Sequence, residues 1–555
     1  MQRLKGGNLL KPDVIFNDWP RTALTLSLVG ALLPSPLPAQ NNNLLAEGGN
    51  AATGYDMAPE TRLEVVQAAV AAIKTPLPPG PFQPTWESLQ ANYQVPQWFV
   101  GAKFGLFMHW GLYSVPAHHN EWYEKHMYAA DRQWHAEHFG PQDKFGYKDF
   151  IPQFTCEKFD ADAWAELFKQ SGARFVIPTA QHHDGFSLWD SDVNPVNAKK
   201  MGPKRDLIGE LGVAVRKQGL KFGVSNHGIE NFQFINPAPE LADQLKSEQA
   251  DLYDPQWADF YHVADRSEAA CEKFLEDWYA RNVELIDKYQ PDMLWFDNGV
   301  DIRYLDPLKL RIAAYYYNRA HEWGKEVSLS TKKAAYAPTG KNTETIGSII
   351  DFEKIGARSP AGIRTGVWQV DEPIGSTWGY TSNMRVSGPA PIISKLADTV
   401  SKNGTLLLNL SPKADGTFAP EIHTTLLAIG EWLRVNGEAI YDTHNWVTFG
   451  EGGGRGAKGE NIRFTVKGDA LFAIMIGNWP AGEVTITSLN AGGPIDGEVQ
   501  TVQLLGSTGN CEFTRDGTGL KVKLPAKAPG KYAYTLKITG LKMNPVAASP
   551  SGNPI

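Results

Sequence analysis

Between residues 104 and 410, short apolar runs alternate with longer stretches of helical periodicity. The runs cover 104–110, 175–182, 221–227, 293–299, 327–331, 349–353, 366–370 and 405–410. Apolar residues spaced three and four apart predict helices over 160–170, 207–218, 269–289, 307–323 and 391–401. Strand and helix in alternation predict βαβ units and a parallel sheet. Eight runs suit an α/β fold of the closed (β/α)8 type, a TIM-like barrel. No long helix is patterned between 327 and 353, so that side is expected to be irregular. An open doubly wound sheet is the rival, and it would place a Gly-rich phosphate loop after its first strand. His109-Trp110-Gly111 stands there instead, which disfavours it.

Beyond Trp446 helical spacing disappears. Short alternating runs at 462–466, 471–476, 484–488, 521–524 and 532–538 are separated by Gly, Asn and Asp turns. They predict a small antiparallel β-sandwich of roughly 100 residues, the usual size of such domains, either bracing the barrel or binding glycan. The glycine-rich stretch 450–459 has no helix after it, so it reads as a hairpin or surface loop rather than a nucleotide loop. At the other end, Lys5, Lys11 and Arg21 precede an apolar run over 23–33, and Leu37-Pro38-Ala39 offers a small-residue cleavage site. That order is expected of a secretory signal, and the run is short for a bilayer span. The expected division is a signal peptide over 1–39, a leader and linker over 40–85 with helical spacing at 61–74, the barrel over 86–445 and the sandwich over 446–545. The mature protein is expected to be secreted or periplasmic, with no stable membrane insertion.

Composition then narrows the partners. Hydrophobic residues make up 42% and charged residues 21%, enough apolar material for a large core. The net charge is −8 and no Lys/Arg run occurs, which argues against nucleic acid. Three cysteines, Cys156, Cys271 and Cys511, lie far apart and form no zinc spacing, so neither a disulfide framework nor a cofactor is expected.

Functional groups of a barrel gather where its strands end. The expected strand ends carry His109-Trp110, His182-His183-Asp184, Asn226-His227, Trp295-Phe296-Asp297 and Asp351-Phe352-Glu353, with Gln369 and Asp371 after the seventh. Buried polar groups are costly without partners, so a ring of them suits a polyhydroxylated ligand. Asp297 emerges from an apolar run into a fixed, partly dry position, which fits a nucleophile forming a glycosyl ester and equally fits a helix cap. A retaining hydrolase needs a second carboxyl about 5–5.5 Å away; Glu353 and Glu121 are the candidates.

Several motifs carry a resemblance. They are Trp98-Phe99, the run from Ala102 to Gly111, Ser114-Val115-Pro116, Glu121-Trp122-Tyr123, His182-His183-Asp184-Gly185-Phe186, Trp295-Phe296-Asp297, Trp378-Gly379-Tyr380 and the run from Asn403 to Asn409. In order and content they resemble glycoside hydrolase family 29, the α-L-fucosidases, from about Trp98 to Trp446. The resemblance implies a retaining exo-fucosidase acting on fucosylated oligosaccharides or glycoconjugates. It implies Asp297 as nucleophile and His109, His182 and His183 as holders of the fucose hydroxyls. Glu121 and Trp122 match a pair lining the same pocket, and Trp295 an aromatic wall beside the sugar. Two positions depart from the pattern. Ser225-Asn226-His227 stands where many members have a tyrosine, so His227 or Asn226 is expected to replace that contact. Gln369 stands where a glutamate acid/base is expected, and an amide cannot serve as a general acid. Glu353 is the first replacement, then Glu121, then Asp371. A metal-dependent barrel hydrolase using His109, His118, His119, His182 and His183 is one alternative, although adjacent strand residues face opposite ways. A non-catalytic fucose-binding barrel is the other.

Overall fold

The structure, a computed structural model, describes residues 59–543 apart from 356–358, 453–460, 481 and 494. The expected signal segment, the leader up to residue 58 and most of the glycine-rich stretch 450–459 lie outside the described residues.

Eight strands close into a parallel barrel in sequence order: β1 Phe104–Met108, β2 Phe175–Gln181, β3 Lys221–Asn226, β4 Met293–Phe296, β5 Ser328–Lys332, β6 Ile349–Glu353, β7 Trp368–Pro373 and β8 Gly404–Leu410. β8 pairs back onto β1, with Leu408 opposite Leu106. Every residue of β1, β2 and β8 is buried, because side chains fill the interior and helices cover the outside. The helices Ala161–Gln170, Leu207–Lys217, Glu268–Tyr289, Asp306–Trp323 and Pro389–Ser401 stand where periodicity puts them. Asp160, Asp206 and Ser267 cap three of these by accepting a first-turn backbone N–H. Only one short 3-10 turn, Asn342–Glu344, lies between β5 and β6, so that side is irregular as expected.

Three features depart from the expected pattern. β7 starts two residues later and runs on to Pro373, so Gln369 and Asp371 lie within the strand rather than after it. The polar pair Asp371-Glu372 hides this continuation, because both side chains are buried in ion-pair and carboxyl contacts. An eighth-strand helix, Pro420–Asn436, buries Ile422, Leu426, Ile429 and Leu433 along one face. The segment before Trp86 is no free linker in its described part. Its helix Pro59–Ala72 packs on Glu268–Tyr289 and Asp306–Trp323 and buries Val65, Val66 and Ala69. Further along, the Phe82 N–H donates to Asn318 Oδ1 at 2.9 Å.

The C-terminal region is an antiparallel two-sheet unit. β9 His444–Glu451, β10 Asn461–Lys467, β11 Ala470–Ile476, β12 Glu483–Ile486, β13 Gly497–Leu504, β14 Phe513–Asp516, β15 Gly519–Lys523 and β16 Ala533–Leu541 form sheets of order β13-β16-β11-β10-β9 and β12-β15-β14. Strand alternation divides β11 between two cores. Leu471, Ala473 and Met475 face the second sheet, whereas Phe472 and Ile474 join the barrel's core. Trp432 Nε1 donates to Ala533 O at 2.8 Å, tying the last barrel helix to β16. Among the described residues no helix is long and apolar enough to cross a membrane. All three cysteines are unpaired.

Candidate active site

The carboxylate of Asp297, one residue past β4, sits at the C-terminal mouth of the barrel. Its Oδ1 lies 2.9 Å from Lys332 Nζ at the end of β5. Its Oδ2 lies 3.0 Å from His227 Nδ1 and 3.6 Å from His183 Nε2. Burial alone would raise this carboxyl, but Lys332, then His227 and His183, hold it well below the usual carboxylate range. The ion pair works both ways. Burial lowers the Lys332 ammonium, yet Asp297, Asp371 and Glu353 together raise it well above its ordinary value. A buried ionised carboxylate fixed on two sides is held in one orientation, as a nucleophile requires.

Imidazoles floor the same space. His182 and His183 lie just beyond the end of β2, so strand alternation no longer separates them, and their rings stand 4.3 Å apart. His109 sits 5.4 Å from His182 and 5.2 Å from His227, its Nδ1 held by Asn409 Oδ1 at 2.7 Å. Burial, reinforced by neighbouring imidazoles, pushes His109 and His182 well below their ordinary range and His183 down to about 3. All are therefore neutral at neutral pH, each offering one donor and one acceptor nitrogen. The buried Nδ1 of His182 has no hydrogen-bond partner among the described residues. A sugar hydroxyl is a group of the right size and polarity to satisfy it.

Carboxyl groups line the far side. Lys332 Nζ is 3.8 Å from Glu353 Oε2 and 3.5 Å from Asp371 Oδ2, which puts both acids within about 7 Å of Asp297. Glu353 keeps 23% of its side chain exposed, whereas Asp371 is fully buried beside it across the β6–β7 ladder. Burial, then the charges of Asp351, Glu353 and Asp297, raise Asp371 well above the carboxylate range against the pull of Lys332. Gln369 Nε2 donates to Asp351 Oδ2 at 2.5 Å, and Trp295 Nε1 to the same oxygen at 2.8 Å. Glu121 Oε2 accepts the backbone N–H groups of Trp378 and Gly379 at 3.2 and 3.1 Å, which pins the Trp378 loop over His109.

Two of these groupings, His109/His182/His227 and His183/His227/Asp297, have ligand atoms within 4.8 Å of one another. Their nitrogens are already engaged in part: His227 faces Asp297 and Ser225, and His109 faces Asn409. The Lys332 ammonium sits on Asp297 Oδ1, while Oδ2 is the oxygen that faces His183 and His227.

The profile of the α-L-fucosidase family matches residues 69–438, and that of the α-L-fucosidase C-terminal domain matches residues 457–539. The chain belongs to the α-L-fucosidase family. Human tissue α-L-fucosidase is 30% identical over 497 residues, spanning 85% of this chain and 95% of that protein. Human plasma α-L-fucosidase is 34% identical over 377 residues, 66% of this chain and 73% of that one. The structure of a Thermotoga maritima α-fucosidase superposes with a TM-score of 0.65 at 31% identity, covering 82% of this chain and all of the other.

Of the residues expected at this fucosidase's site, Asp297, His109, His182, His183, His227 and Glu353 converge. His227 enters and Asn226 does not: the Asn226 side chain bonds Gly228 N and Asn282 instead. Trp295 is fully buried between Phe107 and His227, its ring 5.1 Å from the latter. Trp122 is 38% exposed at the rim, 6.0 Å from the His183 ring. Sequence reasoning missed Lys332 and Glu230. Lys332 follows the apolar run 327–331 just as Asp297 follows its own, so the same strand-end rule would have found it. Glu230 Oε2 lies 3.1 Å from His183 Nδ1 and fixes that ring from behind.

Proposed function

We propose that the chain is a retaining exo-α-L-fucosidase whose nucleophile is Asp297 and whose acid/base is Glu353. The observation that carries the reading is the ionised, doubly anchored Asp297 beside neutral imidazoles and a second, partly exposed carboxyl. Thermotoga maritima α-fucosidase structures include complexes with fucose and with a mechanism-based inhibitor, which supports a pocket for a single fucosyl unit.

In the first step an Asp297 oxygen attacks the anomeric carbon, and Glu353 protonates the departing glycosidic oxygen. In the second, Glu353 takes a proton from water, which displaces the Asp297 ester with retention. Lys332 positions both groups. While Asp297 is charged, Lys332 faces it; once the ester forms, that charge is gone and the ammonium favours the anion of Glu353, now the base. Asp371, without an exposed surface, shapes the field beneath Glu353 rather than reaching the leaving group. Glu121 holds the Trp378 loop, and Gln369 anchors Asp351. The family of the chain and the fucose complexes of its structural relatives support action on terminal fucosyl groups of oligosaccharides or glycoconjugates. The acidic net charge supports the absence of a nucleic-acid partner.

Azide tests the acid/base assignment. Glu353→Ala should lose activity on poor leaving groups, hydrolyse aryl α-L-fucosides slowly, and be rescued by azide with release of α-fucosyl azide. Near-normal turnover in Glu353→Ala, with rescue appearing in Glu121→Ala or Asp371→Ala, would reassign the role. The charge, apolar run and Ala39 order supports export. A secreted product beginning at Gln40 is the expected result of N-terminal sequencing, and a retained product beginning at Met1 refutes it.

A further inference from the structure

A second set of metal-binding side chains gathers in the loop after β1, apart from the imidazoles around Asp297. His119 Nδ1 lies 2.8 Å from Asp131 Oδ2, and His118 Nε2 lies 3.8 Å from the same oxygen. The His126 ring stacks on His119 with centroids 3.9 Å apart. Ligand atoms of His119, His126 and Asp131 all fall within 4.8 Å of one another. We propose that His118, His119, His126 and Asp131 form a site for a divalent transition-metal ion, zinc above all, that staples the loop carrying Glu121 and Trp122.

The donor set is the first argument. Three imidazoles and one carboxylate match the nitrogen and oxygen ligands zinc takes. Spacing is the second. Bonds of about 2.0–2.1 Å in a tetrahedron put neighbouring ligand atoms roughly 3.3 Å apart, and the observed 2.8 and 3.8 Å bracket that value. His119, His126 and Asp131 already hold their ligand atoms within 4.8 Å of one another, whereas His118 and the parallel-stacked His119 and His126 rings must turn for all four to meet one ion.

The scaffold is the third argument. The His118 ring stacks flat on Trp134 at 3.5 Å, and Trp134 stacks in turn on His138 at 4.0 Å. Ala117 and His119 both hold left-handed backbone, at φ 47° and 59°, although neither is glycine. Such conformations cost roughly 1–2 kcal/mol each and persist where the surroundings dictate them. His126 lies in the last turn of the short helix Tyr123–Met127, and Asp131 directly precedes the helix Arg132–His138. The four side chains remain open to solvent, so an ion can enter without passing the sugar pocket.

The placement gives the site a consequence. His118 and His119 precede the Glu121-Trp122 turn, and His126 and Asp131 follow it. An ion held by both flanks closes a ring around that turn. Glu121 pins the Trp378 loop and Trp122 faces His183, so the staple acts on the rim of the fucose pocket without touching its floor.

Titration of the full, EDTA-stripped chain with zinc chloride at pH 7.5 tests the proposal. One equivalent should bind, raise the thermal midpoint, and be replaceable by cobalt(II) with the visible absorption of a tetrahedral centre. The double variant His119→Ala/His126→Ala should bind more than about 100-fold more weakly, since even outer-shell changes cost 10–100-fold. Its metal-free turnover of an aryl α-L-fucoside should stay at the wild-type level, which shows that it folds. Absence of saturable zinc binding by the wild type overturns the proposal. So does unchanged affinity in the double variant, or binding that excess fucose abolishes, which would put the ion on His109, His182 and His227. If the double variant does not fold, Asp131→Asn, which keeps the shape, must show the loss of affinity instead.

Discussion

Replacing Lys332 with methionine removes the single positive charge shared by Asp297, Glu353 and Asp371 and keeps the length of the side chain. The ammonium lies 2.9, 3.8 and 3.5 Å from the three carboxyls. At an effective dielectric of about 20, charges 4 Å apart interact by about 4 kcal/mol, and leaving a buried charge without its partner costs about 3–5 kcal/mol. Taking the lower figure, the ionised form of Asp297 loses about 3 kcal/mol, a factor of roughly 100. The sign follows from the charge. Lys332 favours the anions of Asp297 and Asp371, so its loss moves both to higher pH. Asp297 must be ionised to attack, so the acid limb of the kcat/KM profile should shift upward. On the acid side the variant should fall below wild type by up to roughly 100-fold, and the gap should narrow as pH rises. Lys332→Arg, which keeps the charge, should restore most of the profile. The assay is kcat/KM on an aryl α-L-fucoside from pH 4 to pH 9. A profile of lower height but with an unmoved acid limb would refute the reasoning and reduce Lys332 to a packing role.

Other consequences are as direct. Burial pushes Asp251 and Asp184 up to about 6, even against hydrogen bonds from Tyr128, Tyr261 and Tyr147. A folded-state pKa above the unfolded value gives stability that is complete below about pH 4 and lost as pH rises through 6. Each group is therefore expected to withdraw roughly 3 kcal/mol between pH 4 and 7.5; Asp251→Asn should flatten that slope in denaturant titrations, and an unchanged slope contradicts it. A Cβ on Gly379 would meet the Tyr113 ring at 2.7 Å and Glu121 Cβ at 3.1 Å. Gly379→Ala should push the Trp378 loop outward and raise KM for aryl α-L-fucosides more than it lowers kcat; equal effects on both contradict the pocket-rim role. Glu230→Gln leaves His183 a neutral partner and removes a carboxyl that burial and Asp297 push upward. Its kcat/KM should change less than tenfold below pH 6 and hold up better at alkaline pH, and a uniform loss across the range counts against this.

Much of the fold was readable because barrel strands buried on both faces leave unbroken apolar runs. The eight runs became β1 to β8, with ends shifted by a few residues. The adjacency of His182 and His183 was informative for a physical reason: both can face inward only beyond the strand, and β2 ends at Gln181. Periodicity failed where burial is polar or partial. β7 carries Asp371 and Glu372 inside, so its apolar run stops early. β13 and β14 bury few residues, so their alternation runs mostly between half-buried and exposed positions. The helix Pro59–Ala72 was patterned, but nothing in its spacing says that it packs on the barrel. Lys332 was passed over because lysine reads as a surface residue, and only the three surrounding carboxylates make its burial tolerable.

The central claim is that Asp297 becomes covalently attached to the sugar. Incubation with a 2-deoxy-2-fluoro-fucosyl fluoride, followed by proteolysis and mass spectrometry, measures this directly. The account predicts one fluorofucosyl adduct, on the peptide containing Trp295-Phe296-Asp297, absent from Asp297→Asn. An adduct on Glu353, Glu121 or Asp371, or an Asp297→Asn enzyme at full speed, would contradict it.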